Sequence, residues 1–249
     1  MRFSFKTLPL LALPALAWAD GPVDLRTSLR QLHGHAPVSV EVVYASHREH
    51  TTFLKPMVHE HSLRLQLVED EAGLHVNWTL PALSANPKPV TPGPDAAALT
   101  PLGEVLSDLD PLTLNSLLNQ AEALSALLET ATFKAENRAT YEGHPARVLT
   151  FTCTPRIPAQ HQGRVLQAES ILKIWIGDDG VPLATESMVD YVGRHSRLYG
   201  RIHSNTLVKT TYSVLDQRLV VTSQTSEDSI YDYGDRLKSN KTLTLATKG

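Results

Sequence analysis

Only one cysteine, Cys153, occurs in the 249 residues. An intrachain disulfide is therefore excluded, and packing and hydrogen bonds must hold the fold. Charge of one sign is lacking too. There are 23 Lys and Arg against 26 Asp and Glu, a formal net charge of −3, so no basic excess argues for nucleic acid. No segment is apolar enough for the ~20 residues that a membrane-spanning helix takes. The Gly-x-Ser-x-Gly elbow, a Gly-rich phosphate loop and His-Glu-x-x-His are also missing. No motif argues for an enzyme, and no cofactor is expected.

What is present begins with an address. Arg2 and Lys6 form a basic start, Leu8–Ala17 a short apolar core, and Ala17-Trp18-Ala19 a small-x-small site. Together they read as a secretory signal peptide over residues 1–19, cut before Asp20. The expected location is the periplasm. Residues 20–249 then form a single domain, long enough to bury a core without staples.

The rest is organised around 165–225. Residues 167–176 are rich in β-branched and aromatic types, and Gly177-Asp178-Asp179-Gly180 suits a hairpin turn. Strands at 182–192, 198–214 and 218–225 follow, joined by turns so short that neighbours must be antiparallel. Upstream, Leu25, Leu29 and Leu32 share one face of a helix over 23–33. Val38, Val40, Val42 and Tyr44 alternate as a strand, and 45–58 reads as a strand end and a loop. Leu63, Leu65 and Leu67 pair through a turn at 69–73 with Leu74, Val76, Trp78 and Leu80. Five prolines mark 81–95 as a linker. Helices are expected near 96–107 and from Asp110-Pro111, a capping acid before a first-turn proline, through Thr130. Leu114, Leu117, Leu118, Ala121, Leu124 and Leu128 form its stripe. A hairpin spans 140–154. The tail, 226–249, reads as polar, with one short strand at 242–246. The fold class is mainly β with a helical insert (96–131): an antiparallel meander curved into a half-barrel, covered by an N-terminal helix and a helical pair.

Several clusters carry possible chemistry. His59 and His61 on a strand point to one face, and His47 and His50 lie nearby, a possible set of metal ligands. Glu69-Asp70-Glu71 and Asp178-Asp179 fall in turns, where acids serve the turn itself. Arg194, His195, Arg197, Arg201 and His203 form a basic cluster beside a turn. Cys153 sits on the apolar side of a strand and reads as an inert thiol. Trp78, Trp175 and the leucines of 111–130, Leu117 and Leu124 above all, are the candidate ligand-binding residues, placed where a helical lid would meet the concave face.

Val23–Tyr44, Tyr141-Glu142-Gly143-His144-Pro145-Ala146-Arg147-Val148-Leu149 and the step Leu172–Leu183, with its strand, turn, Pro-Leu and strand, resemble the periplasmic lipoprotein-carrier superfamily (LolA/LolB-like). The resemblance implies a half-barrel with an apolar concave face under helices. Members of that shape carry acyl chains or sense lipidated and misfolded proteins. The expectation is an exported, soluble, non-enzymatic binding protein for an apolar or amphipathic ligand, with a lipid or lipidated protein as partner. Two other readings stand beside it: an envelope structural or interaction protein without a pocket, and a His-based metal-binding protein.

Overall fold

The computed structural model describes residues 20–52, 56–78, 108–158, 161–194, 200–232 and 234–247. The signal peptide, the proline-rich linker and the helix expected at 96–107 lie outside the described residues.

Helix α1 (Gly21–Gln31) opens with Asp20, whose carboxylate accepts from the Val23 amide, and buries Leu25 and Leu29. Ten strands follow: β1 (Val38–Thr51), β2 (Pro56–Asp70), β3 (Gly73–Trp78), β4 (Thr132–Tyr141), β5 (His144–Thr152), β6 (Val165–Ile176), β7 (Pro182–Arg194), β8 (Arg201–Leu215), β9 (Arg218–Asp232) and β10 (Asp235–Thr247). They form one open sheet in the order β3-β2-β1-β10-β9-β8-β7-β6-β5-β4. Every pairing is antiparallel. The sheet curves into the expected half-barrel. Strands lie ~4.8 Å apart, so a flat sheet would hold β1 and β7 roughly 19 Å from each other. Instead both line a single cavity.

The open edges are β3 and β4, and the chain between them carries helices α2 (Pro111–Leu118) and α3 (Gln120–Thr130). The insert thus runs from one lip of the half-barrel to the other. Asp110 caps α2 by accepting from the Leu112 and Thr113 amides; the Thr113 hydroxyl, which also donates to it, and then the Thr113 amide hold its carboxyl below the usual carboxylate range. The single helix expected to Thr130 is broken at Asn119, whose φ of −128° and ψ of 49° leave the helical region. Its side-chain amide donates to the Asn115 carbonyl and to Glu69 of β2. The break gives two faces where the sequence suggests one stripe. Leu114, Leu117 and Leu118 pack with Val40, Val42, Leu65 and Leu67. Ala121, Leu124 and Leu128 pack with Leu25, Leu149, Leu172 and Ile174.

Two ionic knots fasten the cover. Arg147 of β5 reaches Asp24 of α1 at 2.8 Å and Glu136 of β4 at 3.4 Å, and Glu136 also accepts from the Gly21 amide. Arg218 pairs with Glu69 and donates to the carbonyls of Gly34 and Ala36. The β6–β7 turn touches α1 as well. Gly180 has φ +80°, and a Cβ there would lie 2.7 Å from the Asp24 carbonyl oxygen; Gly73, at φ +111°, faces open space. Both lose glycine's freedom on substitution, but only one meets backbone. Gly180→Ala is therefore expected to cost more than ~1 kcal/mol and more than Gly73→Ala. Urea midpoints of the two variants test this; equal losses would mean the α1 contact contributes nothing.

The tail departs most from expectation. β9 continues to Asp232, Gly234 turns the chain at φ +93°, and β10 is a full strand of 13 residues paired with both β9 and β1. Likewise β1 runs on through the His-rich stretch to Thr51, and β4 begins at Thr132.

Candidate functional site

Among the described residues, α1, α2 and α3 cover only part of the concave face. Under them the space is filled by side chains. Leu117 is 1% exposed and Leu124 5%, and each belongs to a core cluster. Trp78 is partly buried at the edge of the first cluster. Trp175 faces the other way. Its neighbours Ile174 and Ile176 point into the core, and its indole lies against Tyr141 on the convex side, ring centroids 6.3 Å apart. The structure therefore brings Leu117 and Trp78 into one cluster, puts Leu124 in the next, and separates Trp175 from all three. Tyr212 lies between the clusters; its hydroxyl meets Thr185 Oγ1 at 2.7 Å, and burial pushes the phenol up to about 12.

Where the helical cover ends, polar groups take over. Asp108 accepts from Tyr44 Oη at 2.6 Å and from Lys241 Nζ at 2.7 Å. Burial, then the bond to Asp108, drives the Tyr44 phenol well above its ordinary value. A cavity of about 220 Å³ lies here, between Thr113 of α2 and Val208 and Gln224 of the sheet.

Lys241 is shared with a second cavity of about 360 Å³, further along the concave face. Its apolar lining comes from Val189 of β7, Ile230 of β9 and Leu237 of β10. Its polar lining includes Arg48 of β1, Ser204 and Thr206 of β8, Asp228 of β9 and Ser239 of β10. The β5–β6 loop adds Arg156 and Pro158. That loop is anchored by His161, whose Nδ1 lies 2.7 Å from the Tyr191 hydroxyl. Gly193 admits it closely: a Cβ there would sit 2.7 Å from the Arg164 carbonyl oxygen. A mixed lining of this kind, in a concavity of this size, is the ordinary make-up of a small-molecule site.

This chain matches no family model, no curated protein and no solved structure. The site must speak through its own chemistry.

The histidines do not converge. In the β1–β2 ladder His59 lies opposite Arg48 and His61 opposite Ser46, whereas His47 pairs with Glu60, one position out of phase. His47 thus lies on the convex face, with Nδ1 3.0 Å from Glu60 and Nε2 3.2 Å from Glu49; those bonds raise its pKa. His59 and His61 have ring centroids 6.5 Å apart. Among the described residues no group of three or more His, Cys, Asp or Glu side chains stands where it could hold a metal ion.

Of the basic cluster at the β7–β8 turn, Arg194 and Arg201 pair across the ladder and His203 meets Asp190 at 3.1 Å. His195 and Arg197 lie outside the described residues. Cys153 is half-buried beside the second core cluster, and burial pushes its thiol up, away from the reactive thiolate. No helix among the described residues is long and apolar enough to cross a membrane.

Sequence reasoning missed Arg48, Arg156, Tyr191, Asp228, Ser239 and Lys241. The usable signal was the period-two run Leu237, Ser239, Lys241, Leu243, Leu245, in which polar residues occupy inward positions between leucines.

Proposed function

We propose that this chain is an exported, non-enzymatic binding protein for an apolar or amphipathic ligand. The ligand sits in the concave face beyond the helical cover. One observation carries this reading: the 360 Å³ cavity has an apolar floor of Val189, Ile230 and Leu237 beside polar walls, outside the leucine-filled core. A core that had simply run out of helix would not keep three aliphatic side chains facing an open space. The leader-like residues 1–19 support export to the periplasm, and the layout resembling the lipoprotein-carrier superfamily supports a lipid or lipidated partner.

A second reading is an envelope interaction protein without a ligand. It is favoured by the packing of the α2 and α3 leucines into core clusters, and by the two edges, β3 and β4, that are open among the described residues. Native mass spectrometry separates the two. Protein purified from the periplasm without detergent is expected to carry a bound small mass that collisional activation releases. A clean apo mass, with no uptake of added amphiphile, would sink the binding reading in favour of the interaction protein.

A further inference from the structure

One rim of the half-barrel, where β1 leads into β2, β7 into β8 and β9 into β10, gathers arginines and exposed apolar side chains. We propose that this rim docks on an anionic phospholipid surface. Docking there requires no ligand in the cavity.

The ladder sets the rim residues side by side. Arg236 of β10 lies between Thr51 of β1 and Tyr231 of β9, and Tyr231 lies opposite His203 of β8. His203 faces Val192 of β7, which pairs with Gln167 of β6. Two positions beyond His203 and Val192, Arg201 and Arg194 stand directly opposite each other. Like charges so placed repel across the ladder. Arg194, Arg201 and Arg236 are exposed, and none enters an ion pair among the described residues. The residues that join these strands, 53–55, 195–199 and 233, contain no acid in the sequence. Asp232 and Asp235 pair with each other on the inner side, which Asp232 shares with buried Ile202. One row back the outer face changes sign. Glu49, Asp190 and Glu169 lie there with Lys238. Asp190 meets His203 and Asn205, and Glu49 meets His47. A chain with this charge order approaches an anionic surface rim first.

Apolar side chains are exposed at the same level. Tyr231 is 48% exposed, and Leu166, the bulged residue beside Gln167, is 64% exposed. Met57 and Val58, at the start of β2, are exposed as well. These residues sit on three separate strands, so they do not form the contiguous apolar centre of a protein interface. A lipid surface reaches all of them at once. Aliphatic and aromatic groups enter the acyl boundary while guanidinium groups meet the phosphates. Ile230 and Leu237, which line the cavity, are the chain neighbours of Tyr231 and Arg236. Docking therefore sets the cavity beside the lipid.

Vesicle flotation with the full mature chain tests this, using phosphatidylcholine vesicles with and without phosphatidylglycerol. The chain is expected to bind the anionic vesicles at least tenfold more tightly than the neutral ones, and to be released as salt rises. Each arginine at such a surface is worth about fivefold in affinity. Arg194→Gln/Arg201→Gln should therefore weaken binding by more than about tenfold. Its urea midpoint should be unchanged or raised, because a like-charge pair is removed. Arg236→Gln, on another hairpin, should weaken binding about fivefold. Leu166→Gln should weaken binding several-fold at every salt concentration. Val214→Gln, exposed at the opposite end of β8, should change nothing. Absence of binding to anionic vesicles overturns the docking, and so does equal binding to neutral ones. Binding that survives the loss of all three arginines overturns the rim as the contact. Binding to soluble polyglutamate as tight as to anionic vesicles overturns the lipid surface in favour of an acidic protein. The native mass spectrum is independent of these outcomes, so ligand binding stands or falls separately.

Discussion

Arg218→Ala is expected to lower the unfolding free energy by about 3–5 kcal/mol, the usual cost of stranding one member of a buried pair. Arg218 is 4% exposed. Its guanidinium pairs with Glu69 at the end of β2 and donates to the Gly34 and Ala36 carbonyls after α1, at 3.1 and 3.3 Å. Glu69 also accepts from Asn119, the joint between α2 and α3, at 3.3 Å. Alanine would leave a largely buried carboxylate and two carbonyls without their donor. Two parts of the chain would lose their shared partner at the start of β9: the segment after α1 and the end of β2, through which the helical joint is also tied. The double change Arg218→Met/Glu69→Leu should recover a good part of the loss, because it removes both charges from a dry place. Urea denaturation of the three proteins decides it. A loss under ~1 kcal/mol in the single variant would mean that the pair behaves as a surface one.

Leu117→Ala and Leu124→Ala are each expected to cost about 2–5 kcal/mol, the range for a leucine removed from a packed core. Neither is expected to create binding for an apolar dye under the helices. A loosely docked lid would show the reverse, a small loss with a gain of dye. The burial of both leucines favours the first outcome. Leu112 lies on the same α2 but is 82% exposed, so Leu112→Ala should stay within ~0.5 kcal/mol. Thermal or urea midpoints, with dye titration on the same samples, measure both halves of the expectation. A small loss with new dye binding at Leu117 would return the ligand to the covered half.

The parts of this fold that could be read from its sequence are those that alternate. Val38, Val40, Val42 and Tyr44 announced β1, and Leu63, Leu65 and Leu67 announced β2, because each strand sends one face into a leucine-rich core. Periodicity fails where the inward face is polar. From Ser226 to Lys241 the inward positions include Ser226, Asp228, Ser239 and Lys241, all lining cavities. Read as hydropathy, that stretch is a soluble tail; in the structure it is the end of β9 and most of β10. The same polarity hides the candidate site. Leu117 and Leu124 stand out in the sequence because they are apolar, and the same property puts them in the core. The side that Trp175 takes is hidden for a related reason. Strand β6 is apolar on both faces, so period two could not say which side the indole takes. Asn119 shows a third limit: a helical stripe continues through it in the sequence, but its side chain is spent on Glu69 and Asn115.

The pairing of β1 with β10 has a consequence for how the chain is assembled. Val40 meets Thr247, and Thr51 meets Arg236. Such partners are nearly a whole chain length apart, whereas β4 through β10 pair consecutively as hairpins. Loop closure across such a distance is slow compared with hairpin formation, so the two arms should form first and the seam last. Until the final strand is in place, β1 on one arm and β9 on the other each present a bare hydrogen-bonding edge, a template for pairing with another chain. A chain cut short before Asp235 would keep nearly all of its core leucines and still expose two unpaired edges. Its failure would show as aggregation rather than as a loosened monomer, and a chaperone that shields strand edges would serve it better than one that shields apolar patches.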